Sequence, residues 1–292
     1  MFGAIKMQFI KYKSYILKFL LVSCIFCING CDCTILCPNG LIAQEQRFVL
    51  FVSFFTMLLI IIPVIFMTIF FVLRYRESNF SKTYDPKWSH SNIIELLIWG
   101  IPIIIIVFLS IFSWKSVHDL DPKKPIVSNV QPIKINVISL DWKWLFIYPD
   151  QKIATINKLI IPINTPIIFN LTSGSVMNSF FIPSLGSQIY VMPGMKTNLN
   201  LIANKLGQFK GFSSNYSGKG FSNMKFDVLV TSDHIFFYEW VKKIQKSKYK
   251  LNSMYQFNQL AIPSDNNAIK YFSNLKENLF NVVIANVLKI SL

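Results

Sequence analysis

Residues Met177–Pro183 read MNSFFIP, and residues Gly207–Met224 read GQFKGFSSNYSGKGFSNM. The first stretch reads as a strand; the second is rich in Gly, Ser and Asn, the residues of turns and loops. Taken alone, the second stretch fits a Gly–Ser turn of a β-sandwich. Segments on either side support such a frame. Ile133–Ile138, Trp142–Tyr148, Pro166–Thr172, Thr197–Ala203 and Met224–Val230 are β-rich, much of it alternating with period two, and are broken by Pro, Gly, Asn and Ser. Short strands at this spacing predict a sandwich or Greek-key barrel. Further on, Ser232-Asp233 can cap a helix through Phe236, Trp240 and Ile244, with lysines toward its end. The tail Asn267–Leu292 alternates apolar and polar residues at helical spacing.

The chain before this domain belongs in a membrane. The whole chain is 52% apolar and 15% charged, too apolar for an ordinary soluble protein. Residues 48–73, FVLFVSFFTMLLIIIPVIFMTIFFVL, carry no charge and would span about 39 Å as a helix. Pro63 inside this run is tolerable in a membrane helix and predicts a kink. Residues 93–112, IIELLIWGIPIIIIVFLSIF, form a second span of roughly 30 Å with Glu95 near its start.

The N-terminus has the layout of a secretory signal. Lys6, Lys11, Lys13 and Lys18 precede a short apolar run, Phe19–Ile28, and Ile28-Asn29-Gly30-Cys31 is similar to the lipobox of bacterial lipoproteins. That similarity implies cleavage before a lipidated Cys31, with Asn29 a departure from the usual small residue and an uncleaved anchor helix as the alternative. All five cysteines (Cys24, Cys27, Cys31, Cys33, Cys37) lie in the first forty residues. Everything after Cys37 therefore lacks thiolate ligands and internal disulfides.

Charge sets the orientation. The loop 74–92 carries Arg74, Arg76, Lys82 and Lys87 against Glu77 and Asp85, which predicts that it is cytoplasmic and that the large domain faces the periplasm. The net charge of +15 is spread through the chain rather than clustered, a compositional bias and not a nucleic-acid footprint. The resulting layout is a signal peptide at 1–30, a periplasmic segment at 31–47, spans at 48–73 and 93–112 around a cytoplasmic loop at 74–92, a periplasmic domain at 113–231 and a helical, aromatic-rich region at 232–292.

Together, MNSFFIP and the Gly207–Met224 loop resemble the copper-binding frame of the second subunit of haem-copper respiratory oxidases. In that family the strand supplies a histidine, and the loop supplies two cysteines, a glutamate carbonyl, a histidine and a methionine. The matching positions here are Asn178, Ser213, Asn215, Ser217, Phe221 and Met224, so the methionine alone remains. A dinuclear copper centre needs soft bridging thiolates and imidazoles, which serine and asparagine do not provide. The expectation is a cupredoxin-like domain that binds no metal.

From about Glu45 onward the chain resembles subunit II of the bo-type ubiquinol oxidases. The match rests on Glu45-Gln46-Arg47, on Trp88-Ser89-His90-Ser91-Asn92 with Glu95, Trp99 and Pro102, on Asp141-Trp142-Lys143-Trp144, and on Tyr271-Phe272-Ser273 with Leu279-Phe280 in the tail. The resemblance implies a multi-pass subunit of a bacterial inner membrane, in a proton-pumping complex that oxidises ubiquinol and reduces dioxygen. It places haems, one copper and the ubiquinol site in subunit I, with small subunits III and IV as further partners, and no cofactor in this chain.

It also implies that Glu95 marks a proton entry continuing into subunit I. A carboxylate favoured by the helix dipole in a first turn is the competing explanation. Trp142 and Trp144 match an electron-passing aromatic patch of copper-bearing relatives, but without an acceptor they read as core or interface residues. His90 reads as a hydrogen-bonding loop residue, and His118 and His234 have no partner at ligand spacing. The alternative function is a membrane-tethered cupredoxin-like lipoprotein acting alone, as an assembly or binding module.

Overall fold

The computed structural model describes residues 34–76 and 90–290, together with Lys18, Phe19 and Ser23. Helix α1 (Leu41–Arg74) and helix α2 (Asn92–Asp119) are the two described helices long and apolar enough to cross a membrane. Both are longer than the charge-free runs inside them. At 1.5 Å per residue α1 reaches about 51 Å, more than the hydrocarbon layer requires, so part of it stands outside. Polar side chains within the spans satisfy themselves on the helix: Thr56 and Thr68 donate to Val52 O and Val64 O at 2.7 Å, and Ser110 donates to Ile106 O at 2.7 Å. The Phe48 and Phe112 rings meet edge to face, 6.3 Å apart, between the two helices.

The projecting end of α1 is built into the domain. Its first turn has no side-chain cap. Instead the Leu41 and Ala43 N–H groups donate to Ile202 O and Leu185 O, and Asn39 N–H donates to Ser184 O. Domain carbonyls thus satisfy donors that a helix start leaves open. Gly40 is required there, because a Cβ would stand 2.7 Å from Ile202 O and 2.8 Å from Leu185 O.

The domain is a two-sheet sandwich of cupredoxin type. Its strands are β1 (Ile133–Leu140), β2 (Lys143–Tyr148), β3 (Ile153–Ile156), β4 (Lys158–Pro162), β5 (Ile167–Ser173), β6 (Asn178–Ile182), β7 (Gly186–Val191), β8 (Thr197–Leu201), β9 (Gly207–Ser213), β10 (Lys225–Thr231), β11 (Lys250–Leu251) and β12 (Lys270–Leu275). One sheet runs β11-β12-β3-β2-β1-β5-β8 and the other β4-β10-β9-β6-β7. An aromatic core lies between them: Phe180 stacks on Phe226 at 5.2 Å, with Trp144 and Phe146 edge-on or tilted against them. Helix α3 (His234–Gln245) starts where expected, with Asp233 Oδ1 accepting from Phe236 N, and buries Phe237, Val241 and Ile244.

The tail differs from its helical expectation. Helix α4 (Met254–Ala261) and helix α5 (Leu279–Ile290) are present, but Lys270–Leu275 pairs as β12 with β3, and the two-residue β11 pairs with β12. The sheet therefore runs past residue 231. A second apolar cluster, including Ile138, Leu145, Ile156, Phe257, Phe280 and Val283, forms where α4 and α5 cover the outer face of the seven-stranded sheet.

Candidate functional site

The loop resembling a copper frame begins at the end of β9 and closes on the first residue of β6. Ser213 and Asn178, the last and first residues of those strands, are both buried. Ser213 Oγ donates to Asn178 Oδ1 at 3.0 Å and accepts from Ser179 N at 3.4 Å. The Asn178 amide nitrogen donates to Val176 O at 3.3 Å, and that of Asn215 to Met177 O at 3.2 Å. Met224 is fully buried in the core, and its carbonyl accepts from Ser213 N at 3.2 Å.

The outer part of the loop is held by Trp142. Its backbone is left-handed (φ 62), which turns the chain between β1 and β2, and its indole N–H donates to Ser217 O at 3.0 Å. The ring lies where a Cβ on Gly220 would approach to 2.5 Å, so only glycine fits beneath it. Ser217 Oγ is buried with no protein partner. Phe221 packs edge-on against Tyr216 at 5.7 Å. Apart from Met224, the positions are neutral hydroxyls, amides and an aromatic ring. Asn178 and Ser213 already hydrogen-bond one another, so the set does not fit a dinuclear copper centre. Among the described residues no group of three His, Cys, Asp or Glu is placed to hold a metal ion.

Glu95 sits in the first turn of α2, with its N–H donating to Ser91 O at 3.0 Å. Its carboxylate Oε1 is 3.3 Å from His90 Nδ1, and both side chains are exposed. His90 directly precedes Ser91, the extended N-cap residue of α2, which sets its ring beside the first helical turn. His118 and His234 lie elsewhere, the first on Trp114 O at 2.8 Å and the second beside Thr165 Oγ1 at 3.2 Å. Cys31 lies outside the described residues.

Trp144 is fully buried between Phe180 and Phe226, a core residue rather than a surface one. Lys143 between the two tryptophans is also buried, which its motif did not signal.

Residues 146–231 match the model of the cytochrome c oxidase subunit II periplasmic domain, and residues 245–289 match the COX aromatic rich motif. The chain is 53% identical over 275 residues to a protein of Buchnera aphidicola subsp. Schizaphis graminum called cytochrome bo(3) ubiquinol oxidase subunit 2, covering 94% of this chain and 95% of that one. It belongs to the ubiquinol oxidase subunit II family.

A second family member, the Pseudomonas putida protein of the same description, is 48% identical across 88% of this chain and 81% of its own. Among solved structures, the periplasmic domain of subunit II of the Bradyrhizobium japonicum cytochrome oxidase is 25% identical. It covers 40% of this chain and 96% of that one, with a TM-score of 0.38. Two apolar helices and a periplasmic subunit II domain fit an inner-membrane protein.

Proposed function

We propose that this chain is the non-redox second subunit of a proton-pumping ubiquinol oxidase, which oxidises ubiquinol and reduces dioxygen to water. The observation that carries the reading is the Ser213–Asn178 hydrogen bond, 3.0 Å, where copper-bearing members of the wider family hold a cysteine and a histidine. A lipid-soluble donor delivering electrons directly to subunit I needs no periplasmic relay. Haems, copper and ubiquinol then belong to subunit I, with subunits III and IV completing the complex.

In this reading α1 and α2 anchor the chain against subunit I, and the periplasmic domain stands over it. Glu95, at the cytoplasmic start of α2, collects protons for a path into subunit I. An ionisable residue at the end of a spanning helix supports that role, and the nearby His90 adds a second group able to carry a proton. Signal cleavage and lipidation of Cys31 complete the anchoring. The two long apolar helices with Glu95 favour this reading over a tethered module, which would need neither.

The test is purification of this chain from its native membrane in mild detergent, read by haem absorption, copper content and ubiquinol-dependent oxygen uptake. Co-purifying haem and quinol oxidase activity, with no copper on the isolated periplasmic domain, is the expected result. A chain that comes out alone, without haem, would reverse it.

A further inference from the structure

Lys143 opens β2, yet its side chain is buried and its ammonium meets only neutral acceptors. Nζ donates to Ile262 O at 2.8 Å and to Ser264 Oγ at 2.5 Å. Ile262 is the C-cap of α4, so the first of these bonds places the cation at the negative end of a short helix. That partial charge is a weak counter-ion. Among the described residues Lys143 makes no ion pair. Asp141 is the one carboxylate with a resolved influence on it; it accepts from Ser175 Oγ and lies outside the cleft that Lys143 lines.

That cleft, about 470 Å³, lies beside β12 and α4. Lys250 and Lys270 line it with Lys143, and no Asp or Glu does. Tyr249, Tyr255 and Leu260 contribute aromatic and aliphatic walls. Burial is the main influence pushing Lys143 below the ordinary lysine range, and the Lys270 charge pushes the same way. A buried ammonium without a counter-charge is costly, and it has a third N–H beyond the two already used.

We infer that the cleft is a binding site for an oxyanion carried on an apolar stem: a phosphate or carboxylate head held by Lys143, Lys250 and Lys270, with its stem against Tyr249, Tyr255 and Leu260. Three cations around a half-apolar recess with no acidic residue in its lining complement that chemistry. The volume exceeds what a bare phosphate fills. An anionic phospholipid headgroup and a free phosphate share the chemistry, and the experiment separates them.

The test uses the purified oxidase complex in detergent, titrated calorimetrically with inorganic phosphate, with dihexanoyl phosphatidylglycerol, and with zwitterionic dihexanoyl phosphatidylcholine as reference. Lys250→Gln/Lys270→Gln is the informative variant, since both side chains are exposed. Phosphatidylglycerol binding that weakens about tenfold or more in the variant supports the site and assigns it to a lipid head. Phosphate binding that weakens likewise, without phosphatidylglycerol, supports it as a free-anion site. Absence of both, or binding equal in variant and wild type, overturns it. Lys143→Met should abolish binding wherever the complex still assembles with haem, and the double variant decides the matter where it does not.

Discussion

His90 Nδ1 lies 3.3 Å from Glu95 Oε1, so an imidazole and a carboxyl group meet at the start of α2. If this pair is the proton entry, Glu95→Gln should slow oxygen uptake and proton uptake by about tenfold, about 1.4 kcal/mol on the limiting barrier, while haem content stays that of wild type. Turnover equal to wild type would remove Glu95 from the mechanism.

His90→Asn should slow turnover by a smaller factor than Glu95→Gln. Because the two side chains are in contact, the substitution should add nothing in a Glu95→Gln background. Rates measured for both single variants and the double variant check this, and effects that simply multiply would mean the groups act independently.

Ser213→Ala removes the donor to buried Asn178 Oδ1 and leaves that acceptor unpaired. The expected cost is about 1–3 kcal/mol, which at about 2–4 °C per kcal/mol lowers the melting temperature by several degrees. Calorimetry of the purified complex measures it. Copper content should not change, because the position serves packing.

Gly220→Ala would bring a methyl within 2.5 Å of the Trp142 indole, whose N–H holds Ser217 O. Displacing the ring should cost about 1–3 kcal/mol and expose it. A lower melting temperature with a red-shifted tryptophan emission is the expected outcome, and an unchanged spectrum would mean the loop yields instead.

Lys143 has its proton affinity lowered by folding, first through burial and then through Lys270. The folded state therefore binds fewer protons than the unfolded one between its lowered pKa and the ordinary 10.5, and stability contributed by this residue rises with pH across that window. Below the folded pKa the penalty is fully present. The melting-temperature difference between wild type and Lys143→Met should shift in favour of wild type as pH approaches 10.5, and a flat difference would contradict it.

Much of the fold is legible in the residues because the signals are local. The charge-free run within α1 and the alternation in Ile133–Ile138 announce themselves without any partner. Strand β9 was hidden in a Gly-rich stretch, since Gly211 occurs there to make room for Phe226, whose Cζ would lie 2.0 Å from a Cβ at that position. Strand β12 is not legible in its own residues, because its amphipathic pattern is short and its pairing partner, β3, lies far away in sequence. At the site, Asn178, Ser213 and Met224 were identifiable by type and order. The contact of His90 with Glu95 depends on the extended Ser91 at the helix start, which no periodicity encodes.

The pairing of Lys270–Leu275 with Ile153–Ile156 also has a consequence in time. Strand β3 stands as an unprotected edge until residues 270–275 have been made, and the outer face of its sheet stays partly bare until α5 arrives. Loss of residues 270–290 would leave a sandwich with one strand edge and part of one sheet face uncovered. A subunit in which β3 is paired on both sides has necessarily been translated past Leu275.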